Sequence, residues 1–341
     1  IESPPRPQTP VPPFPYEALE VAYDNEVDVV RVAGTLTLPQ GAGPFPAALL
    51  VTGSGAQDRD ETLLGHKPFL VLADHLTRQG IAVLRVDDRG VGGSTGDLSQ
   101  ATGEALARDA AAGVRFLRGH ARIDPARVGI VGHSEGGLIG PRVAADDPKL
   151  AFLVMMAGTG VPGHAVVREQ SVAILRANGV PAAAIELARH QQAKALQVVL
   201  DQADDAAARS ELEALGIPGP QAEPMLTPWF RSFVAYDPAP TLARLRCPVL
   251  VLNGELDLQV LPDQNLPAIE KALARNRRRV TVHRLPGLNH LFQHAKSGSP
   301  EEYAAIEETI APEVLGIVGD WIVAQTLEGP RKGEPKRSRA R

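Results

Sequence analysis

The stretch Val128–Gly137, VGIVGHSEGG, constrains this chain more than any other. Strand-like apolar sequence runs straight into Gly132-His133-Ser134-Glu135-Gly136, with a helix expected directly after the serine. A buried strand followed at once by a helix leaves almost no room for a turn. Glycines two positions before and two after the serine therefore predict a backbone bend too tight for side chains, one that pushes a single hydroxyl into the open. The plainer reading, a serine that merely caps a helix, does not call for the glycine pair.

The whole chain limits what that hydroxyl can serve. With 341 residues, 44% of them hydrophobic, it can bury one large core, or one core plus a smaller domain. A net charge of −5 gives no general basic field for nucleic acid or an anionic membrane. No run approaches the roughly 20 apolar residues that a membrane-spanning helix needs. The single cysteine, Cys247, excludes an internal disulfide framework and a multi-cysteine metal cage, and reads as a packed core thiol. The opening IESPPRPQTPVPPFP is dominated by proline and is expected to be a tether over residues 1–15. A start on Ile1 fits a removed export signal, making the protein periplasmic or secreted, or a trimmed sequence, leaving it cytoplasmic. Residues 329–341 are basic, carry no large apolar side chain and read as a solvated, disordered tail.

Between these ends strands and helices alternate. Residues 18–24, 29–39, 47–53 and 81–87 read as four strands, with an amphipathic helix near 66–79. A helix at 105–119, the strand 127–132, the helix after Ser134 and a buried strand at 150–158 follow. Such alternation argues for a mainly parallel sheet covered on both faces. From about Thr159 to Pro240 no convincing strand occurs, and alanine-rich segments succeed one another, several with proline at the start and glycine at the end. This predicts an inserted helical cap over 159–240, between core segments 16–158 and 241–328. Strands at 247–254 and 279–285, a helix near 263–275 and a last helix over 300–326 complete the core.

A serine hydroxyl is a weak nucleophile until a base takes its proton and a carboxylate orients the base. The strand in LVLNGELDLQV stops at Asn253-Gly254, which puts Glu255 and Asp257 on the loop at the sheet's carboxyl edge, where Ser134 must emerge. The strand in VTVHRLPGLNHLFQ ends before Pro286-Gly287, with His290 on the loop beyond; His294 lies a helical turn later and His283 within the strand. A fold that gathers strand ends would unite Ser134, an acid at 255 or 257, and His290.

These features resemble the α/β-hydrolase superfamily. Gly132-His133-Ser134-Glu135-Gly136 matches its G-x-S-x-G nucleophile elbow in the required strand–turn–helix context, and the order serine, acid, histidine is the superfamily's own. More narrowly, VTGSGAQDRDE, DDRGVGGSTG and LPGLNHLFQ resemble EstD-like bacterial carboxylesterases related to dienelactone hydrolases. The resemblance implies an eight-stranded, mostly parallel sheet with a cap, and selects Asp257 over Glu255. It also implies an oxyanion hole made of backbone amides, one from Glu135 and one from the loop Thr52-Gly53-Ser54-Gly55, where Ser54 is the expected donor and Gly55 the alternative.

The implied activity is a serine carboxylesterase acting on a small-molecule ester, with short acyl chains as the default and no cofactor or metal. An acyl-CoA thioesterase, a peptidase related to prolyl oligopeptidases, and a non-catalytic hydrolase-fold binding protein are the alternatives. Monomer and homodimer both stay open. TPWFRSFVAY begins with a helix cap at Thr227 and then sets Trp229, Phe230 and Phe233 at helical spacing. Such a stripe ordinarily packs a cap helix down, although part of it, with Met225, is also a candidate acyl-pocket lining. Asp58-Arg59-Asp60 and Asp87-Asp88-Arg89 read chiefly as an ion-pair network holding two loops. His133 is expected to pack beside the serine rather than react. No spacing fits a nucleotide loop or a zinc site.

Overall fold

A computed structural model describes residues 4–327 of the chain, so the basic tail expected at 329–341 lies outside the described residues. Eight strands form one sheet: β1 (Glu17–Asn25), β2 (Val30–Leu38), β3 (Phe45–Val51), β4 (Ala82–Val86), β5 (Ile123–His133), β6 (Leu153–Met156), β7 (Val249–Gly254) and β8 (Val280–Leu285). Their spatial order is β1-β2-β4-β3-β5-β6-β7-β8. The β1–β2 and β2–β4 pairs are antiparallel and the rest parallel, so β3 to β8 all end at one edge. Central strands buried on both faces read as near-continuous apolar runs, which is why Ala47–Leu50 and Val249–Leu252 have no polar alternation.

Eleven helices are described: α1 (Pro68–Arg78), α2 (Gly103–Gly119), α3 (Gly136–Asp146), α4 (Gly163–Ala177), α5 (Ala182–Asp201), α6 (Asp205–Ala214), α7 (Gly219–Ala222), α8 (Pro228–Ala235), α9 (Ala239–Leu242), α10 (Pro262–Ala272) and α11 (Pro312–Thr326). On one face of the sheet, Val114 and Leu117 of α2, Ile139 and Val143 of α3, and Ile269 of α10 pack on Leu49, Ile130 and Val249. On the other, Phe69, Leu72 and Leu76 of α1 and Val314, Val318 and Ile322 of α11 pack on Leu50, Val154 and Leu250. Helices α4 to α9 fill the interval between β6 and β7, and part of this layer has its own small core of Leu196, Val199, Leu212, Leu226 and Val234. No helix among the described residues is long and apolar enough to cross a membrane.

Two expectations change. Residues 300–326 are not one helix: a 3-10 turn covers Pro300–Ala305, and α11 starts only at Pro312. The carbonyls and amides of the intervening segment are engaged from outside. Gln8 Nε2 donates to the Ile310 carbonyl at 2.7 Å, and Gln8 Oε1 accepts from Thr309 N at 2.5 Å and Ile310 N at 3.1 Å. The described part of the proline-rich start is accordingly docked rather than a free tether. Its Arg6 guanidinium also donates to the carbonyls of Ile306 (2.8 Å), Ala304 (2.9 Å) and Leu64 (3.0 Å).

Candidate active site

Ser134 follows the last residue of β5 and carries φ 53°, the left-handed region that a serine rarely adopts. The bend explains both glycines. A Cβ on Gly132 would lie 2.0 Å from the Gly136 carbonyl oxygen, and one on Gly136 2.0 Å from that of Val51 in β3. The chain is tied down as it turns: Ser134 N donates to the Met156 carbonyl at the end of β6 at 2.8 Å, and Gly137 N to the Ser134 carbonyl at 2.9 Å.

The loops after β7 and β8 bring the other expected residues to this point. His290 Nε2 lies 3.0 Å from Ser134 Oγ, and His290 Nδ1 lies 2.8 Å from Asp257 Oδ2. Ionised, the carboxylate only accepts, so Nδ1 carries the proton and Nε2 presents a lone pair to the serine hydroxyl. Asp257 is 1% exposed, yet its charge is well met. Oδ1 accepts from the Gln259 and Val260 amides at 2.8 Å each, and Oδ2 also accepts from Asn253 Nδ2 at 3.0 Å. Asn289 holds the His290 loop, its Oδ1 accepting from Leu291 N at 3.0 Å and Gln293 N at 2.9 Å. The competing residues point elsewhere. Glu255 is exposed beside Arg284, and His294 is exposed between Glu308 and Glu313. His283 is a half-buried residue of the edge strand β8.

The loop after β3 lies across the elbow, so close that a Cβ on Gly53 would be 3.3 Å from that of Ser134. Gly53 N donates to Glu61 Oε1 at 2.6 Å and is spent. Ser54 and Gly55, the next amides, stay as the candidates to face an oxyanion together with Glu135 N at the start of α3. The same Glu61 Oε1 is 2.9 Å from His133 Nδ1, while His133 Nε2 is 3.0 Å from the carbonyl oxygen of His290. His133 thus does pack beside the serine, but within a polar network that the sequence did not reveal.

A cavity of about 600 Å³ opens against the elbow. It reaches the site through Gly53, Ser54, Gly55 and Glu135, next to Ser134, and its walls include Leu49, Val86, Leu106 and Ile139. Four acidic residues line it, Asp87 and Asp109 in ion pairs with Arg59 and Arg89, and Asp88 and Glu135 with no salt-bridge partner among the described residues. Burial pushes Glu135 up to about 7 despite a 2.6 Å hydrogen bond from Trp229 Nε1 and the attraction of Arg142. Burial likewise pushes Asp88 up to about 7, against hydrogen bonds from the Thr52 hydroxyl and the Gln57 amide. Of the four candidate lining residues, Trp229 lines the cavity. Met225, Phe230 and Phe233 instead pack on the small core of the helical layer, Phe233 also stacking on Trp229 with ring centroids 5.6 Å apart. The ion-pair reading holds for Asp87 with Arg59 (2.8 Å), for Arg89 with Asp109 (2.7 Å), and for Asp60 with Arg85 and Lys67. It fails for Asp88, which meets the cavity without a basic partner.

Comparison with known proteins agrees with the fold. The model of the X-Pro dipeptidyl-peptidase (S15) family matches residues 28–287. Esterase EstD of Thermotoga maritima is 28% identical over 302 residues, covering 88% of this chain and 67% of that protein. Among solved structures, Est1E of Butyrivibrio proteoclasticus is similar with a TM-score of 0.55 at 14% identity, over 90% of this chain and 98% of that one. An α/β hydrolase, GrgF, of Penicillium sp. sh18 gives 0.56 at 17% identity, over 92% and 100%. An esterase of Pyrococcus furiosus gives 0.54 at 15% identity, over 95% and 97%.

Proposed function

Because the chain belongs to the X-Pro dipeptidyl-peptidase (S15) family and is, with its α/β-hydrolase fold, a serine hydrolase, we propose that it is a carboxylesterase that cleaves short-chain or compact carboxylic esters through an acyl-enzyme. The observation that carries the reading is the unbroken hydrogen-bond chain from Asp257 through His290 to Ser134 beside the cavity. Likeness to esterase EstD over most of the chain supports an ester substrate.

Ser134 Oγ attacks the ester carbonyl carbon as His290 Nε2 takes its proton. The imidazolium so formed is stabilised by Asp257, and the oxyanion by the amides of Glu135 and of Ser54 or Gly55. Collapse breaks the ester C–O bond, and His290 returns the proton to the leaving alcohol. Water then attacks the acyl-serine with His290 again as base, and collapse of the second tetrahedral intermediate releases the acid and restores Ser134. A cavity of about 600 Å³ suits a small organic group. Carboxyls of Glu135 and Asp88 in its wall disfavour a long alkyl chain, which would leave them facing hydrocarbon. Residues 159–240 are read as a cap over core segments 16–158 and 241–328, reaching the elbow through the hydrogen bond from Trp229 to Glu135.

Hydrolysis of p-nitrophenyl esters from acetate to palmitate, by the parent and by Ser134→Ala and His290→Ala, tests this. Expected is a maximum at short chains and a fall of about three orders of magnitude or more in both variants. A parent inert on every ester, or a Ser134→Ala protein that keeps its rate, would overturn the reading. The family description favours a second reading, an X-Pro dipeptidyl peptidase. An X-Pro p-nitroanilide run in the same assay separates the two by which substrate has the higher kcat/KM.

A further inference from the structure

His133 faces acceptors on both sides: the carboxylate oxygen Glu61 Oε1 at 2.9 Å from Nδ1, and the His290 carbonyl oxygen at 3.0 Å from Nε2. A carbonyl oxygen has no proton to give, and Glu61 Oε1 already accepts the Gly53 amide at 2.6 Å. A neutral imidazole with an ionised Glu61 would set a bare nitrogen lone pair against one of these oxygens. Both contacts are hydrogen bonds at once when the ring carries two protons and Glu61 carries its charge. The pair is deeply buried, His133 at 6% and Glu61 at 5% exposure, and because Glu61 Oε2 is buried with no hydrogen-bond partner among the described residues, the carboxylate charge is met through Oε1 alone, by His133 and the Gly53 amide. Glu61 also adopts φ 53°, a left-handed backbone that costs about 1 kcal/mol or more and persists only where its surroundings hold it.

The three tethers end on three separate parts of the site. His133 directly precedes the nucleophile, Gly53 directly precedes the candidate oxyanion amide Ser54, and the His290 carbonyl belongs to the expected base. We propose that Glu61 and His133 form a charged positioning pair that holds the elbow, the Gly53–Ser54 loop and the backbone of His290 in one frame. This rests on the esterase reading for its consequence in catalysis, though the ionisation of the pair stands apart from it.

The titratable groups facing His133 are Glu61 from the loop before α1, Asp257 from the loop after β7, and His290 from the loop after β8. Burial of the ring opposes protonation, but the charge and hydrogen bond of Glu61, with smaller help from the His290 carbonyl and Asp257, outweigh it and raise the His133 pKa. A raised pKa holds the frame together to higher pH than an ordinary imidazole would allow and releases it when the ring loses its proton on the alkaline side. Replacing Glu61 by Gln keeps the acceptor oxygen and removes the charge that holds that proton.

The test has two arms on the full-length protein. In the first, 15N NMR of the histidine side chains of the parent at neutral pH, with His133→Gln to assign the resonance, reads the protons directly. Two protonated ring nitrogens at His133 are expected; a single proton, as in a neutral His133 accepting from a protonated Glu61, would overturn the proposal. In the second, Glu61→Gln is assayed on the best p-nitrophenyl ester across pH. The account expects kcat to fall about ten- to a hundredfold with KM within about threefold of the parent, as for a misaligned rather than unoccupied site. It also expects the alkaline limb of the kcat profile to move to lower pH. A profile of unchanged shape, merely scaled, would reduce the pair to ordinary packing. Should Glu61→Gln fail to fold, the NMR arm still decides. An inactive parent would count against the esterase reading and leave that arm untouched.

Discussion

At the scale of single residues, the carboxyl of Glu135 is buried in the cavity wall with a single hydrogen bond to compensate its charge. It follows the nucleophile, accepts one hydrogen bond from Trp229, and stays 7% exposed with a pKa pushed up to about 7. Because that value lies above the ordinary 4.5, the unfolded chain gives up this proton first as pH rises. Its contribution to stability is fully present below about 4.5 and is lost by about 7, a change of about 3 kcal/mol for a shift of this size. Glu135→Gln cannot ionise, so its melting temperature should gain on the parent between pH 5 and pH 8. Thermal melts of both proteins at the two pH values check this, and an equal difference at each would contradict it. The candidate triad was legible in the sequence because a strand-ending glycine and a strand-ending Pro-Gly mark where an acid at 255 or 257 and His290 leave the sheet, and the family resemblance chose Asp257. Glu61 was not. It sits in the charge-rich run QDRDE, which reads as surface ion pairs, and only the fold brings it to His133, 72 positions away in the chain.

At the scale of elements, β5, the elbow and α3 behave as one rigid corner. Gly136 fits only because α3 begins against the backbone of β3, where carbonyl oxygens cannot step aside as a side chain would. Gly136→Ala should therefore lose at least about 3 kcal/mol, or fail to fold, because overpacking against backbone has no cheap relaxation. Gly316→Ala, inside α11 with nothing within 4 Å of the added Cβ, should instead gain about 0.5–1 kcal/mol. Urea unfolding of the two proteins beside the parent measures both signs. The last helix shows where the sequence misled. Its alanine- and glutamate-rich stretch after Pro300 has helical composition, yet Gln8 takes the backbone groups of Thr309 and Ile310, and α11 waits for Pro312 at its first turn. Local propensity lost to a contact from 301 or more positions away. The aromatic stripe of α8 was legible as a stripe, but not in its direction. Helical spacing alone did not tell that Trp229 turns to Glu135 while Phe230 and Phe233 turn to the helical layer.

At the scale of the molecule, the parallel strands β3 to β8 end on one edge, and every part of the candidate site hangs from those ends. That much followed from the alternation of strand and helix, since a parallel sheet collects its carboxyl-end loops on one side. The docking of the proline-rich start, and the size and polarity of the cavity, depend on tertiary contacts that no local pattern carries. The central claim is that Ser134 becomes acylated by substrate and is freed by water. Rapid mixing with p-nitrophenyl butyrate, followed by acid quench and peptide mass spectrometry, tests it most directly. The account predicts a burst of p-nitrophenol close to one equivalent per active enzyme if deacylation is the slower step. In any case it predicts a butyryl adduct on the peptide holding Ser134 in the parent protein quenched with acid during turnover. Ester turnover with no acyl group on that serine, or with the adduct on another residue, would contradict it.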